Sequence, residues 1–174
     1  MKILIAGVGN VLRGDDAFGI RVVEALTKSG KVPDGVDLYE AGIAGIALVQ
    51  ELMNGYDALV VVDAVDKGAP PGTLFVLEPI TPDAGNPIAT QEDATRLHQS
   101  MVDAHYAEPS KVLVLARALN VCPPQVFIVG CQPACLEEPV EHLDPAVERA
   151  VPVAVEQVLS LIETLKQTTP DSQG

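Results

Sequence analysis

The sequence predicts an α/β fold: three layers, helix–sheet–helix, built on a mostly parallel central sheet in a single domain over residues 1–166, with 167–174 as a frayed tail. Three observations predict it. Short apolar runs rich in Val and Ile alternate with longer helical patterns, as they do in β-α units. The run DALVVV at 57–62 is apolar on both faces, as a strand covered by helices on both sides must be. Hydrophobic residues make up 48 % of the 174, enough to bury both faces of one sheet.

Residues 2–8 read as a buried strand. Gly7 and Gly9 let the chain turn sharply at its end, and Asn10 suits the turn. After Arg13, Gly14, Asp15 and Asp16 comes the apolar spacing of Phe18, Ile20, Val22, Val23 and Leu26. This is the first helix, with Asp15 or Asp16 near its N-cap. Residues 28–34 are polar and form a connection. A short strand over 36–40 ends in Glu40-Ala41-Gly42, and a helix over 43–52 is stopped by Asn54-Gly55. The strand at 57–62 runs into a polar loop, Asp63 to Gly68. Pro70, Pro71 and Gly72 turn the chain into a strand at 73–77.

From 78 to 91 four helix- and strand-breaking residues, Pro79, Pro82, Gly85 and Pro87, interrupt the pattern. A long irregular segment of this kind is more often functional than idle. A helix over 110–119 follows, with Ser110 as its cap. A strand at 125–129 leads to Gly130-Cys131-Gln132-Pro133. Residues 139–165 are mostly helix, with Pro152 marking a kink or a break. Crossovers between the parallel strands should be right-handed.

Several classes are disfavoured. A net charge of −13 argues against nucleic acid and anionic membranes as partners. The N-terminal apolar run is too short to span a bilayer and lacks a cleavage region, so the expected location is the cytoplasm. Three cysteines without a C-x-x-C pair fit neither a disulfide framework nor a structural zinc site, and C-x₃-C at Cys131 and Cys135 is a weak metal signal. The glycine turn lacks the third glycine of a dinucleotide site, where Leu12 stands, and its two acids would repel a pyrophosphate. No G-x-S-x-G elbow is present.

In open α/β sheets ligands bind beyond the carboxyl ends of the strands. Asn10, Asp15 and Asp16 follow the first strand, Glu40 the second, Asp63 and Asp66 the central one, and Gln132 the last. A cluster of carboxylates at one edge is costly unless a cation or a proton neutralises it. With His105 added, two carboxylates and an imidazole make a first shell for a divalent transition metal with open positions. Taken one at a time, the same residues have commoner roles. Asp15, Asp16 and Asp63 can cap turns, and a lone histidine is usually a surface residue.

The motifs resemble a known family. GVGNVLRGDDAFGI is similar to the opening signature of the hydrogenase maturation endopeptidases, which remove a C-terminal peptide from the large subunit of nickel-iron hydrogenases. VVVDAVDKGAPPGTL resembles the family's second block, DAHYAEP its histidine block, and VGCQP its short Gly-x-Gln-Pro block, all in the family's order. The resemblance implies an α/β/α fold and a nickel-contacting triad that falls on Asp16, Asp63 and His105, with His98 a lower-ranked rival. It makes Asp16 and Asp63 the catalytic acids. It also implies that the nickel belongs to the precursor, so that only a nickel-loaded precursor is cut. Hydrolysis through a metal-bound water and by an unassisted aspartate both fit. The implied partner is the large-subunit precursor, met by a monomer. A non-cleaving nickel-handling or precursor-binding chaperone is the alternative. One block departs: Glu40-Ala41-Gly42-Ile43 stands where many members have Asp-Gly-Gly-Thr, so the carboxylate is kept and the threonine lost. Nothing carries over from Pro139 onward.

Overall fold

Pairing between apolar runs far apart in sequence builds the sheet. The computed structural model describes residues 1–43, 45–79, 107–136 and 141–168. The strands are β1 (Ile3–Val8), β2 (Val36–Gly42), β3 (Ala58–Ala64), β4 (Leu74–Leu77) and β5 (Gln125–Cys131). Their order is β2-β1-β3-β5-β4. β1 pairs in parallel with β2 and β3, and β3 with β5, while β4 runs antiparallel on the edge beside β5. A short 3-10 turn (Gly14–Ala17) leads into α1 (Phe18–Ser29), and α2 (Gly45–Leu52), α3 (Ala107–Ala118) and α4 (Pro145–Thr168) complete the described helices.

Side chains alternate across a strand, so β1 and β3 feed two cores. Ile3, Ile5, Val60 and Val62 meet Phe18, Val22 and Leu26 of α1 and Val158 and Ile162 of α4. Leu4, Leu59 and Val61 meet Leu48 and Leu52 of α2 and Val112, Leu113 and Ala116 of α3. Each such side chain, fully buried, contributes roughly 1.5–3 kcal/mol, so the two cores together outweigh local preferences. β3 is buried at every position, and the expected three-layer, mostly parallel α/β domain is the architecture found.

Several boundaries differ from the sequence expectation. β3 continues through Asp63 and Ala64, which pair with Gly130 and Cys131, so Asp63 stands on a strand rather than in a loop. Helix α3 starts at Ala107, which leaves Ser110 inside its first turn instead of at the cap. Pro109 is no obstacle there, because the first turn needs no donor from it. Helix α4 starts at Pro145, not at 139. Asp144 caps it, its Oδ1 accepting the Ala146 N–H at 2.7 Å, and Pro145 takes the first helical position, which suits its fixed φ. The helix then runs through Pro152 to Thr168 without a break. Pro152 is exposed, while Val147, Ala150, Ala154 and Val155 on either side are buried and hold the two segments on the same core. Most of the irregular stretch expected over 78–91, and both His98 and His105, lie outside the described residues, as does the tail beyond Thr168. Among the described residues no helix is long and apolar enough to cross a membrane.

Candidate active site

The site begins with a close approach that only glycine allows. Gly7 of β1 pairs with Val62 of β3, so the two strands, about 4.8 Å apart, end nearly level. Gly19, in the first turn of α1, presses against both ends. A Cβ at Gly19 would stand 2.1 Å from the Val62 carbonyl oxygen and 2.4 Å from that of Val8. The missing side chain lets α1, and the 3-10 turn before it, sit directly on the carboxyl edge of the sheet. Gly9 completes the turn at φ +132°, where a Cβ would collide with the Asp16 carbonyl oxygen.

Two adjacent acids then take different directions. Asp15 is buried. Its Oδ2 accepts the N–H groups of Ala134 (2.7 Å) and Cys135 (3.2 Å), and its Oδ1 that of Asp144 (2.7 Å). Asp16 is half-buried, and its Oδ2 accepts the Asn10 N–H at 3.0 Å. No side chain caps the 3-10 turn or α1. The capping expectation for these two acids therefore gives way: one is a structural anchor and the other bonds back to the strand end.

Asp63 is 4 % exposed, and its Oδ1 accepts the next residue's N–H, that of Ala64, at 2.8 Å. Alternation places it on the face that Leu59 and Val61 share with α2 and α3. Helix α3 reaches this edge through Val112, which lines a small cleft with Val8, Ala41, Gly42 and Leu48. Asp16, on the turn that follows β1, and Asp63, near the end of β3, thus lie at the same carboxyl edge of the sheet. Glu40 pairs opposite Gly7 on β2 and is exposed. Asp66 is exposed in the loop after β3, its Oδ1 accepting from Gly68 N–H (3.0 Å) and from Gln132 Nε2 (2.9 Å). His105 precedes α3 in sequence, and with His98 it lies outside the described residues.

Among the described residues no three His, Cys, Asp or Glu side chains are grouped to hold a metal ion. Carboxylates such as those of Asp16 and Asp63 are hard oxygen donors, the type that suits a divalent cation. Cys131 is buried, and desolvation with the nearby Asp15 charge pushes its thiol from 9.0 up to about 12, against a smaller opposite pull from the Gly72 backbone. A thiol so held stays neutral near pH 7 and is a poor nucleophile.

The residue whose role the sequence leaves least visible is Gln132, which is buried. Its Oε1 accepts the N–H groups of Lys67 (2.7 Å) and Ala69 (3.1 Å), and its Nε2 donates to Asp66 Oδ1 and to the Pro133 carbonyl (3.2 Å). Its position beyond β5 marks it as an edge residue, but its partners, some 65 positions away, leave no local signal.

Comparison with known proteins supplies the wider setting. A protein-family model for hydrogenase maturation protease matches residues 20–161. Asp63 falls inside that span, as does position 105, and Asp16 lies ahead of it. The hydrogenase 2 maturation protease of Escherichia coli K12 is 34 % identical over 163 residues, 93 % of this chain and 91 % of that protein. The hydrogenase expression/formation protein HupD of Rhizobium leguminosarum is 34 % identical over 94 % of this chain and 75 % of its own length. Among solved structures, the hydrogenase maturating endopeptidase HybD from E. coli aligns with a TM-score of 0.72 at 32 % identity, covering 94 % of this chain and 93 % of that one. A hydrogenase 2 maturation peptidase from a thaumarchaeote aligns with a TM-score of 0.63 at 32 % identity, covering 93 % and 98 %.

Proposed function

The chain belongs to the hydrogenase maturation protease family and is a peptidase, and from that premise we propose that it removes a C-terminal peptide from the nickel-loaded precursor of a nickel-iron hydrogenase large subunit. The observation that supports this reading is that the turn bearing Asp16 and the end of the strand bearing Asp63 meet at one carboxyl edge, brought together by the contact of Gly19 with the Val62 and Val8 carbonyls. The nickel is part of the substrate. Asp16, Asp63 and His105 complete its coordination when the precursor docks, which makes the metal a recognition element. Two acids and one histidine are too few ligands to hold the ion tightly alone, so a precursor without nickel offers the site little to bind.

Hydrolysis of an amide requires a base to take a proton from water and an acid to return one to the leaving amine. A carboxylate is competent for both transfers. Asp63 is buried and pairs with Gly130 of β5, one residue beyond the part of the strand paired on both sides, so its backbone is held. Asp16 sits on a turn whose backbone packs on Gly9 and whose Oδ2 holds the Asn10 amide. Both acids are therefore placed before the substrate arrives, which is where positioning contributes to rate. The three cysteines are free thiols, which supports a reducing, cytoplasmic setting, and the enzyme acts as a monomer.

The test is the intact mass of the organism's own large-subunit precursor, with and without nickel, before and after incubation with this protein. Loss of one C-terminal peptide from the nickel-loaded form alone is the expected result. An unchanged mass in a stable complex would replace the reading with that of a non-cleaving precursor-binding chaperone.

A further inference from the structure

The two acid-bearing segments are fastened to the same short piece of chain. Beyond β5, the Gln132 side chain holds the loop that follows Asp63. Its amide saturates all four of its hydrogen-bonding positions on Lys67 N–H, Ala69 N–H, Asp66 Oδ1 and the Pro133 carbonyl. Its backbone adds two more bonds, from Gly72 N–H to the Gln132 carbonyl and from Gln132 N–H to the Thr73 carbonyl, each 2.8 Å. Two and three residues further on, the N–H groups of Ala134 and Cys135 bond to Asp15, the residue before Asp16.

We infer that segment 132–135 is the positioning element of the catalytic edge, and that Gln132 is a positioning residue for peptide hydrolysis. One side of the segment fixes the loop after Asp63, and the other fixes the turn that carries Asp16. The spacing of the two acids is set by a common support as well as by the sheet. The inference rests on the reading of Asp16 and Asp63 as the reacting pair. Gln132 touches neither acid and acts through the loop. The chemistry of the network suits the task. A buried amide with both donors and both acceptors engaged has one low-energy orientation, whereas an apolar side chain of the same size would let the loop settle in several. A displacement of about 1 Å at a reacting group lowers turnover as much as 100-fold, so a network that holds a loop in one place is worth its desolvation.

The test compares Gln132→Met, which keeps the volume and removes all four side-chain bonds, with Gln132→Glu, which keeps the acceptor position and sets a second oxygen against Asp66 Oδ1 and the Pro133 carbonyl where the amide donated. Amide hydrogen exchange at Lys67 and Ala69 reads the loop. Turnover of the nickel-loaded precursor, per folded molecule, reads the site. In Gln132→Met the two amides exchange about tenfold faster or more, kcat falls by about tenfold or more, and KM stays within about twofold. Gln132→Glu, whose new oxygen is repelled by the Asp66 carboxylate and the Pro133 carbonyl, deprotects the same two amides and lowers kcat in the same direction. Unchanged kcat in Gln132→Met with deprotected amides overturns the inference and leaves Gln132 a structural fastening. So does failure of both variants to fold, which would make its role one of stability. Asp63→Asn separates the two levels. Full activity in that variant removes the site reading itself, whereas an inactive Asp63→Asn beside a fully active Gln132→Met removes only the positioning role.

Discussion

Asp15 and Asp144 are 129 positions apart and joined by a 2.7 Å hydrogen bond, the Asp144 N–H donating to Asp15 Oδ1. Asp144 is at the same time the cap of α4. The first turn of the chain is thereby tied to the start of its last helix through one buried carboxylate that accepts three backbone N–H groups. Its neighbour Asp16 accepts a local N–H, that of Asn10.

Asp15→Ala removes the acceptor and leaves those three amides facing a cavity. A charged acceptor is worth about 1.5–3 kcal/mol per hydrogen bond, and the terms do not add fully. The expected loss is about 3 kcal/mol, a fall in Tm of about 6–12 °C for a chain of this size. Urea unfolding measures it. A loss below about 1 kcal/mol would mean that water replaces the carboxylate without cost and that Asp15 is no anchor.

Asp63→Asn preserves shape and the Ala64 contact while removing the charge. The variant folds with a Tm close to the parent, and processing of the nickel-loaded precursor falls by about 100-fold or more, the range for loss of an acid–base group. Retained processing would show that Asp63 is not a reacting group.

Gly19→Ala places a methyl group against two backbone carbonyls. Backbone in a paired strand does not yield as a side-chain tip does, so the cost lies at or beyond the upper end of the usual 1–3 kcal/mol for overpacking, about 3 kcal/mol or more. Gly30→Ala is the control. Gly30 has φ +63° but nothing within 4 Å of its Cβ position, and it should lose only about 1 kcal/mol. Equal losses in denaturant titrations of the two variants would remove steric contact as the reason for Gly19.

The three thiols should react with a neutral-pH thiol reagent in the order of their accessibility. Cys135 is exposed, Cys122 half-buried and Cys131 buried. One thiol reacts quickly, a second slowly, and the third only when the protein unfolds, as mass spectrometry of labelled peptides will read. Rapid labelling of Cys131 at pH 7.5 would contradict its burial and its raised pKa.

The same thiol contributes to alkaline stability. Its folded-state value is raised from 9.0 to about 12, so below pH 9 it is protonated in both states and its contribution is complete. As pH rises from 9 towards 12 the unfolded chain releases this proton first, and stability declines by at most about 1.4 kcal/mol per pH unit from this group. Tyr56 acts in the same direction above its ordinary 10.0, because burial and the acceptors Glu51 and Asp37 hold its proton. Cys131→Ala should therefore flatten the stability curve between pH 9 and 10, where Tyr56 has little effect. An unchanged slope there would mean that the thiol keeps its ordinary value.

Local pattern alone was sufficient for much of this protein. The apolar runs at 2–8 and 57–62 became β1 and β3, because a strand buried on both faces needs no information beyond its own composition. The N-cap of α4 is equally local, lying in the pair Asp144-Pro145. Pro152 misled: its local penalty was real, and the buried residues on either side outweighed it.

The sequence by itself determined the fold class and the presence of several acids, Asp15, Asp16 and Asp63 among them, at strand ends on one edge of the sheet. Each follows from residue type and from position relative to a strand end, which are local properties of the chain. Only the tertiary structure decided which of two adjacent aspartates is an anchor, that Asp63 belongs to the strand, and that Gln132 holds the loop beyond it. Those roles depend on partners 63 to 129 positions away. A hydrogen bond of that span exists only once the sheet has brought its ends together, so no periodicity or spacing in the sequence carries it.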